Sequence, residues 1–333
     1  MNLVAPFRTL VIELTNMCGL DCDMCLVKRD GQGFMSVESF VSVIENIRRS
    51  GLSFDIMLPF FRGESLLHPQ FDEIMDIFSH YNRNRDIATG IALDTNANQF
   101  TERYQDTVIQ NNFSGITFSL DAFSQATYKN IRRGGDLVRV TSNIHRFLEK
   151  ISMLDKRPTV IIQFIVMPGN YGEVRDFIIY WKKVFSDFEM PVQVNYDYDR
   201  PEPFGRNVIF IRRCMSRPDG LYDDLFRKVV CDIFSVDDRV IRKGDICSGP
   251  FTHITVTWDG WVYPCCVDVP DSISPGNVFR SEMSDIIKSQ AYRKIRQLHL
   301  SGGADKIPEC RECPGQEYPH LYRDEVVKLM EDK

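Results

Sequence analysis

Cys18, Cys22 and Cys25 carry the spacing C-x3-C-x2-C, directly after the short apolar run Leu10-Val-Ile-Glu-Leu14. Thiolate sulfur is a metal ligand, and a four-iron cubane is ordinarily held by four cysteines. Three on one tight loop leave an iron without a protein ligand. An open metal position is what a catalytic site requires and a structural site avoids. A zinc knuckle, or three buried thiols, would use the same residues.

A second group lies far along the chain. Of ten cysteines, three fall in the first 25 residues, none between Cys25 and Cys214, and seven from Cys214 to Cys313. Cys247, Cys265, Cys310 and Cys313 read C-x17-C-x44-C-x2-C. The first two bracket a predicted β-hairpin, with apolar runs over 254–258 and 261–263 around Asp259-Gly260. Four such cysteines also suit a zinc ribbon. The chain lacks a signal-peptide pattern at its N-terminus, so a cytoplasmic location is expected, where clustered cysteines bind metal more often than they form disulfides.

The elements that must position these groups follow from periodicity. Strands are predicted at 10–14, 54–61, 90–94, 115–120, 159–167 and 192–196, and helices over 36–50, 69–81, 101–110, 137–154 and 171–185. Alternation of short strands with helices implies parallel βαβ units. Right-handed crossovers would curl six of them into a partial barrel or a doubly wound sheet. Residues 201–244 are charged and show no clear βα unit, so they are expected to be a connector, either covering substrate or solvated. From 245 a cysteine-rich module begins, with a helix over 284–298. Net charge is −6 and no basic stripe stands out, so nucleic acid is not an expected partner. No run of 18 or more apolar residues exists, so no membrane span is expected.

The cysteine run and its place after a first strand resemble the radical S-adenosylmethionine (SAM) superfamily. Other segments support the resemblance. Arg62-Gly-Glu-Ser65 resembles the family's Gly-Gly-Glu-Pro segment, which implies that Gly63 and Glu64 hold the SAM amino group. Thr95-Asn96-Ala97 is similar to a Thr-Asn-Gly turn. Ser119-Leu-Asp121-Ala resembles Ser-x-Asp-Gly, whose polar groups approach the SAM ribose and carboxylate; strand alternation would point Ser119 and Asp121 to one face. Gln163 and Asn170 are further polar candidates for adenosine or substrate, and Arg132 and Arg133 for a carboxylate or a substrate anion. Met24 stands where the family has an aromatic residue. The C-terminal cysteines resemble the "twitch" module, a shortened SPASM domain with one auxiliary [4Fe–4S] cluster on Cys247, Cys265, Cys310 and Cys313.

The resemblance implies an α/β fold: a partial (β/α)6 barrel over 1–200, the connector over 201–244, a β-hairpin-plus-helix twitch/SPASM-like domain over 245–315, and a helical tail over 316–333. It implies two [4Fe–4S] clusters and SAM as cofactors, with a flavodoxin or ferredoxin as electron donor. Reductive cleavage of SAM would yield a 5′-deoxyadenosyl radical that abstracts hydrogen from a substrate C–H. The expected reaction is dehydrogenation or epimerisation of a hydroxylated small molecule of sugar or aminocyclitol type. The alternative is epimerisation or cross-linking of a ribosomal peptide, against which stands the shortness of the segment before the first strand. Cys214, Cys231 and Cys266 are candidate hydrogen donors for an epimerase, or inert core thiols; Cys266, which adjoins a cluster cysteine, is the best placed donor of the three and could also replace Cys265 as a ligand.

Overall fold

The computed structural model describes residues 7–25, 27, 31–196, 205–214, 221–234, 246–265, 274–311 and 313. In chain order the elements begin with β1 (Thr9–Ile12), β2 (Asp21–Cys22), α1 (Val37–Ser50), β3 (Phe54–Leu58), α2 (Phe71–Tyr81), β4 (Ala88–Thr95) and α3 (Glu102–Gln110). They continue with β5 (Gly115–Ser119), α4 (Gln125–Ile131), β6 (Arg132–Arg133), α5 (Leu137–Ser152), β7 (Thr159–Val166), α6 (Val174–Asp187) and β8 (Val192–Tyr196). After β9 (Asn207–Arg213) and α7 (Leu221–Phe234) come α8 (Gly249–Thr252), β10 (His253–Val256), β11 (Trp261–Tyr263) and β12 (Gly276–Asn277). The last elements are α9 (Met283–Lys288), α10 (Gln290–Leu300) and α11 (Pro308–Arg311). The fold is an α/β partial barrel with a parallel sheet, followed by the cysteine-rich C-terminal region.

The chain forms two compact units. The first takes the described residues within Met1–Met17, Val27–Ile91 and Lys243–Lys333. In it β1 pairs in parallel with both β3 and β10, and β3 pairs in parallel with the first half of β4. β10, β11 and β12 form an antiparallel meander. So the C-terminal hairpin extends the sheet that β1 begins. The second unit takes the described residues within Cys18–Leu26 and Ala92–Arg242. In it the second half of β4, then β5, β7, β9 and β8, pair in parallel.

Local sequence sets the ends of these elements. Ser36 caps α1 by accepting the Ser39 N–H, and Gly51 closes it with φ 70°. Asp136 caps α5 by accepting from Val138 and Arg139. Within the second unit, one sheet face packs on helices: Phe118 of β5 meets Phe147 of α5, and Phe164 of β7 meets Phe177 of α6. Alternation then sends Ser119 and Gln163 to the other face. Burial of this aromatic side stabilises the sheet, at roughly 25 cal/mol per Å² of apolar surface removed from water.

Residues 201–244, expected as a connector, contain a βα unit. β9 lies between β7 and β8, out of chain order, with Val208, Ile209 and Ile211 buried. α7 follows and buries Phe226, Val229 and Val230. The charged residues flanking β9 hid a strand whose core comes from its neighbours. The helix expected over 284–298 is two helices, because Ser289 is extended (ψ 157°) and its hydroxyl caps α10 at Tyr292 N–H. The tail over 316–333 lies outside the described residues, as does Cys266. Among the described residues no helix is long and apolar enough to cross a membrane.

Candidate metal centres and the strand ends around them

The N-terminal cysteine loop leaves β1 and is closed at its base by side chains. Thr15 Oγ1 donates to Gly33 O (2.7 Å), Asn16 Nδ2 donates to Gly31 O (3.1 Å), and Gly33 N–H donates to Asn16 Oδ1 (3.0 Å). The Cys-bearing part is pinned by an antiparallel ribbon, β2 on β6, in which Cys22 faces Arg132 and Asp21 faces Arg133. Asp23 N–H donates to Ile131 O (2.8 Å). The loop also turns close to Gly134, which has φ 91°, and a Cβ there would lie 3.1 Å from Gly19 O.

Donors already face the sulfurs. Leu20 N–H lies 3.5 Å and Asn96 Nδ2 3.9 Å from Cys18 Sγ, and Arg132 Nη1 lies 3.8 Å from Cys22 Sγ. Burial pushes the Cys22 thiol up to about 11, while Arg132 pulls it down and the neighbouring Cys18 and Cys25 sulfurs add to the rise. Three sulfurs that feel one another, with N–H groups aimed at two of them, fit a cluster whose cysteines are thiolates and whose potential responds to hydrogen bonding. Cys25 is exposed, Cys18 and Cys22 half-buried.

Gly63 and Glu64 sit against residues 15–17, the segment between β1 and the first cysteine. A Cβ on Gly63 would lie well inside contact distance of the Thr15 and Met17 carbonyl oxygens, so only glycine allows the approach. Glu64 N–H donates to Met17 O (2.8 Å), and its carboxylate accepts from Leu66 N–H (3.3 Å) while 4% exposed. Arg62, a departure from the family segment, has a structural partner. Its guanidinium makes a two-point pair with Glu13 (2.9 and 2.8 Å), and Glu13, fully buried, also accepts from Trp258 N–H (3.3 Å). Glu13 was legible as a lone acid in an apolar strand, a charge that needs a partner when buried.

Asn96 and Ala97 form the turn after β4. Ala97 has φ 60°, which is why glycine suits this place, and its carbonyl accepts from Asn143 Nδ2 (2.9 Å). Ser119 and Gln163 are brought together, with Gln163 Nε2 3.4 Å from Ser119 Oγ. Gln163 Oε1 accepts from Arg212 Nη1 (3.0 Å). Arg212 of β9 therefore joins a polar row across β5, β7 and β9 on the face away from the helices. Its signal, a basic residue closing the apolar run 208–211, lay inside the expected connector.

Asp121 does not share that row. Its φ of 61° ends the alternation, and the side chain is fully buried. It pairs with Arg132, accepts from Ile165 N–H (2.7 Å), and its carbonyl accepts from Asn170 Nδ2 (2.7 Å). Asn170 also spends its Nδ2 on Ile165 O (2.8 Å) and its Oδ1 on Met167 N–H (2.7 Å). Arg132 carries this knot into the cysteine ribbon. Burial opposes its charge, but Asp121 and Cys22 hold the guanidinium protonated above its ordinary value. Arg133 is half-exposed and pairs with Asp21 (3.3 Å) and Asp23 (3.6 Å) of the loop.

The C-terminal cysteines come from separate elements. Cys247 precedes α8, Cys265 follows β11, Cys310 is on α11 and Cys313 lies just beyond it. A Cβ on Gly249 would lie 3.0 Å from Cys265 Cβ and 3.6 Å from Cys247 Sγ. Cys265 and Cys310 pack on one apolar cluster of Tyr263, Ile295 and Ile307. Burial pushes the Cys310 thiol up to about 12, with Cys247 and Cys313 adding to the rise. Burial likewise raises Cys247, with Cys313 adding to it. Among the described residues no three His, Cys, Asp or Glu side chains converge as a single-ion site requires. A cubane asks for a wider spread, one cysteine for each iron. His299, which burial pushes down to about 4, places Nε2 3.6 Å from Cys310 Sγ.

Of the candidate hydrogen donors, Cys214 is buried at the end of β9, packed with Ile131, Met167 and the loop residue Met24. Cys231 is half-buried on α7.

The radical SAM superfamily profile matches residues 12–178, half of the sequence. The chain belongs to the radical SAM superfamily. An iron–sulfur cluster-binding domain profile, SPASM, matches residues 247–314. Its cofactors are a [4Fe–4S] cluster with SAM and an auxiliary iron–sulfur cluster. Among curated proteins, this radical SAM enzyme is 27% identical over 203 residues to a GTP 3′,8-cyclase of Clostridium botulinum (strain Okra / Type B1), covering 59% of this chain and 58% of that protein. The match thus spans less than two thirds of that relative's length. Among solved structures it is similar to anSMEcpe with bound AdoMet and Cp18Cys peptide, at 17% identity and TM-score 0.62 over 98% of this chain and 96% of that one. It is also similar to BtrN in complex with AdoMet and 2-DOIA, at 17% identity and TM-score 0.55 over 95% and 97%. At such identity the structures show a shared fold.

Proposed function

We propose that this radical SAM enzyme removes a hydrogen atom from a carbon of a hydroxylated small molecule, of sugar or aminocyclitol type, and dehydrogenates or epimerises it there. When bound, the clusters and SAM supply a carbon radical that attacks an unactivated C–H bond and an acceptor for the electron left behind. Cys18, Cys22 and Cys25 hold the first cluster, and Cys247, Cys265, Cys310 and Cys313 the auxiliary one. Gly63 and Glu64 receive the SAM ammonium, because a backbone carbonyl and a carboxylate are its natural acceptors. Asn96 and Arg132 support the first cluster from its sulfurs outward. A low-potential protein of flavodoxin or ferredoxin type delivers the electron.

The observation that carries the substrate class is the row Ser119–Gln163–Arg212 on the face of the sheet opposite the helices. A hydroxyl, an amide and a guanidinium in sequence offer both donors and acceptors, the pattern that matches several hydroxyls on a compact ring. The likeness to BtrN, solved with 2-DOIA, agrees with this reading. Arg212 equally suits an anion, and the likeness to anSMEcpe with a bound peptide supports the second reading, modification of a peptide.

The two outcomes at the carbon separate on Cys214. Epimerisation needs a hydrogen atom returned from the opposite face, and a thiol can give one. Cys214 stands beside the cluster loop, packed with its Met24. The test incubates reconstituted enzyme and SAM with deuterated cyclitols, sugars, GTP and peptides. Deuterium from a carbinol carbon appearing in 5′-deoxyadenosine supports the reading. Turnover confined to GTP or to peptides overturns the substrate class. A Cys214→Ala variant that still epimerises normally removes the thiol from the scheme.

A further inference from the structure

Donors reach sulfurs in both cysteine regions. In the first, backbone, amide and guanidinium N–H groups face Cys18 and Cys22. In the second, the Gly249 backbone N–H reaches Cys247, and a histidine side chain faces Cys310. His299 lies on α10, 6% exposed, with Nε2 3.6 Å from Cys310 Sγ. The link between α10 and α11 is tightly turned, with Ser301 N–H on Gln297 O (2.9 Å), Gly303 N–H on Leu298 O (2.8 Å) and Ile307 N–H on Ala304 O (3.0 Å). Arg311 Nε donates back to Asp305 O (2.9 Å). Neighbouring Ile295, Leu298 and Ile307 pack with Cys310 in one apolar cluster. The imidazole and the sulfur are therefore held face to face by the fold, not by a mobile side chain.

We infer that His299 is a positioning residue of the auxiliary centre, donating its Nε2–H to the Cys310 thiolate and so raising the reduction potential of the cluster held there. The argument rests on the reading of Cys247, Cys265, Cys310 and Cys313 as ligands. A cysteine that binds iron has lost its proton and can only accept. A buried ring facing it must then carry its proton on Nε2, and the contact becomes a charge-assisted hydrogen bond. Reduction adds negative charge to the cluster and its sulfurs. A donor to one sulfur favours the reduced form, which is the established way hydrogen bonds tune such centres. The role fits an auxiliary cluster that accepts an electron from substrate: the easier it is to reduce, the more completely it takes that electron. Arg296, one turn earlier on α10, is buried among Phe7, Tyr292 and Phe251 and donates to Pro250 O (2.8 Å).

The test compares reconstituted full-length enzyme with His299→Leu and His299→Gln. Iron content is measured first, then the midpoint potential of each cluster by redox titration followed by electron paramagnetic resonance. Full iron with a lower auxiliary midpoint in His299→Leu is expected, by about tenfold in the reduction equilibrium, ~59 mV for one electron. His299→Gln, which keeps an N–H, should return toward the parent value, and the SAM-binding cluster should not move. A weak nitrogen coupling on the reduced auxiliary signal should vanish in His299→Leu. An unchanged midpoint at full iron overturns the proposal. Loss of the auxiliary iron in both variants also overturns it, because His299 would then be a ligand. Loss in His299→Leu alone supports the need for the donor. Absence of auxiliary iron from the parent enzyme defeats the ligand reading instead, a distinct result.

Discussion

The two cysteine regions solve different problems with the same atom. The first gathers three sulfurs within eight residues of chain, so the loop itself sets their spacing and the fold only has to pin it, through the β2–β6 ribbon. The second draws four sulfurs from the ends of α8, β11 and α11, so their spacing exists only when those elements are packed. A local site can leave one iron free for a cofactor. A dispersed site ties remote elements together, as structural metal centres do, because binding energy becomes folding energy.

That contrast can be broken. Cys22→Ala should abolish formation of 5′-deoxyadenosine while leaving the auxiliary iron and the unfolding temperature of the C-terminal region nearly intact. Cys310→Ala should do the reverse: SAM cleavage persists, auxiliary iron falls, and thermal unfolding shifts well downward. Equal thermal losses from the two variants would erase the distinction.

The pin on the first region can be removed by charge. Arg132→Ala leaves the buried Asp121 carboxylate without its partner and should cost about 3–5 kcal/mol in denaturant unfolding of the metal-free protein. Arg133→Ala, which breaks only partly exposed pairs on the same ribbon, should cost about 1 kcal/mol or less. Similar losses from the two would mean that the Asp121 knot does not hold the loop.

Gly63→Ala sharpens the link from β1 to SAM. The added methyl must displace the Thr15 and Met17 carbonyls, at about 1–3 kcal/mol of overpacking. Calorimetry should show weaker SAM binding with the auxiliary iron unchanged.

The smallest effect is one of pH. Glu173 accepts from Phe123 N–H (2.7 Å), Ser124 N–H (3.1 Å), Ser124 Oγ (2.6 Å) and Thr127 Oγ1 (2.6 Å), all at the start of the helix that leads into the ribbon. Partial burial raises its pKa, but these bonds outweigh it and hold the carboxyl below its usual 4.5. The folded value lies below the unfolded one, so the stabilisation is complete above about pH 4.5 and is lost as pH falls through the folded value. Glu173→Gln should flatten that acid limb in thermal melts of the metal-free protein; an unchanged limb would mean the loss arises elsewhere.

Much of this was legible in the chain. Local patterns travelled best: the C-x3-C-x2-C loop after β1, the Asp259-Gly260 hairpin and the alternation that gives β5 and β7. What failed to show was whatever depended on neighbours. β9 reads as a charged linker because its apolar residues make sense only between β7 and β8. Asp121 reads as a cofactor ligand because alternation cannot see a left-handed residue, and its burial with Arg132 comes from tertiary packing. His299 has no spacing to Cys310 that suggests contact, since a turn between two helices brings them together. Arg62 stands where the family segment has glycine, and its counter-charge, Glu13, lies 49 residues away in the chain.

The most direct test of two separate centres is the iron and sulfide content of anaerobically reconstituted protein, measured together with 5′-deoxyadenosine formation. The parent chain should hold about eight irons. A Cys18/Cys22/Cys25 alanine variant should keep about four and cleave no SAM, and a Cys247/Cys265/Cys310/Cys313 alanine variant should keep about four and still cleave it. About four irons in the parent with full SAM cleavage, or zinc in place of iron, would contradict the account.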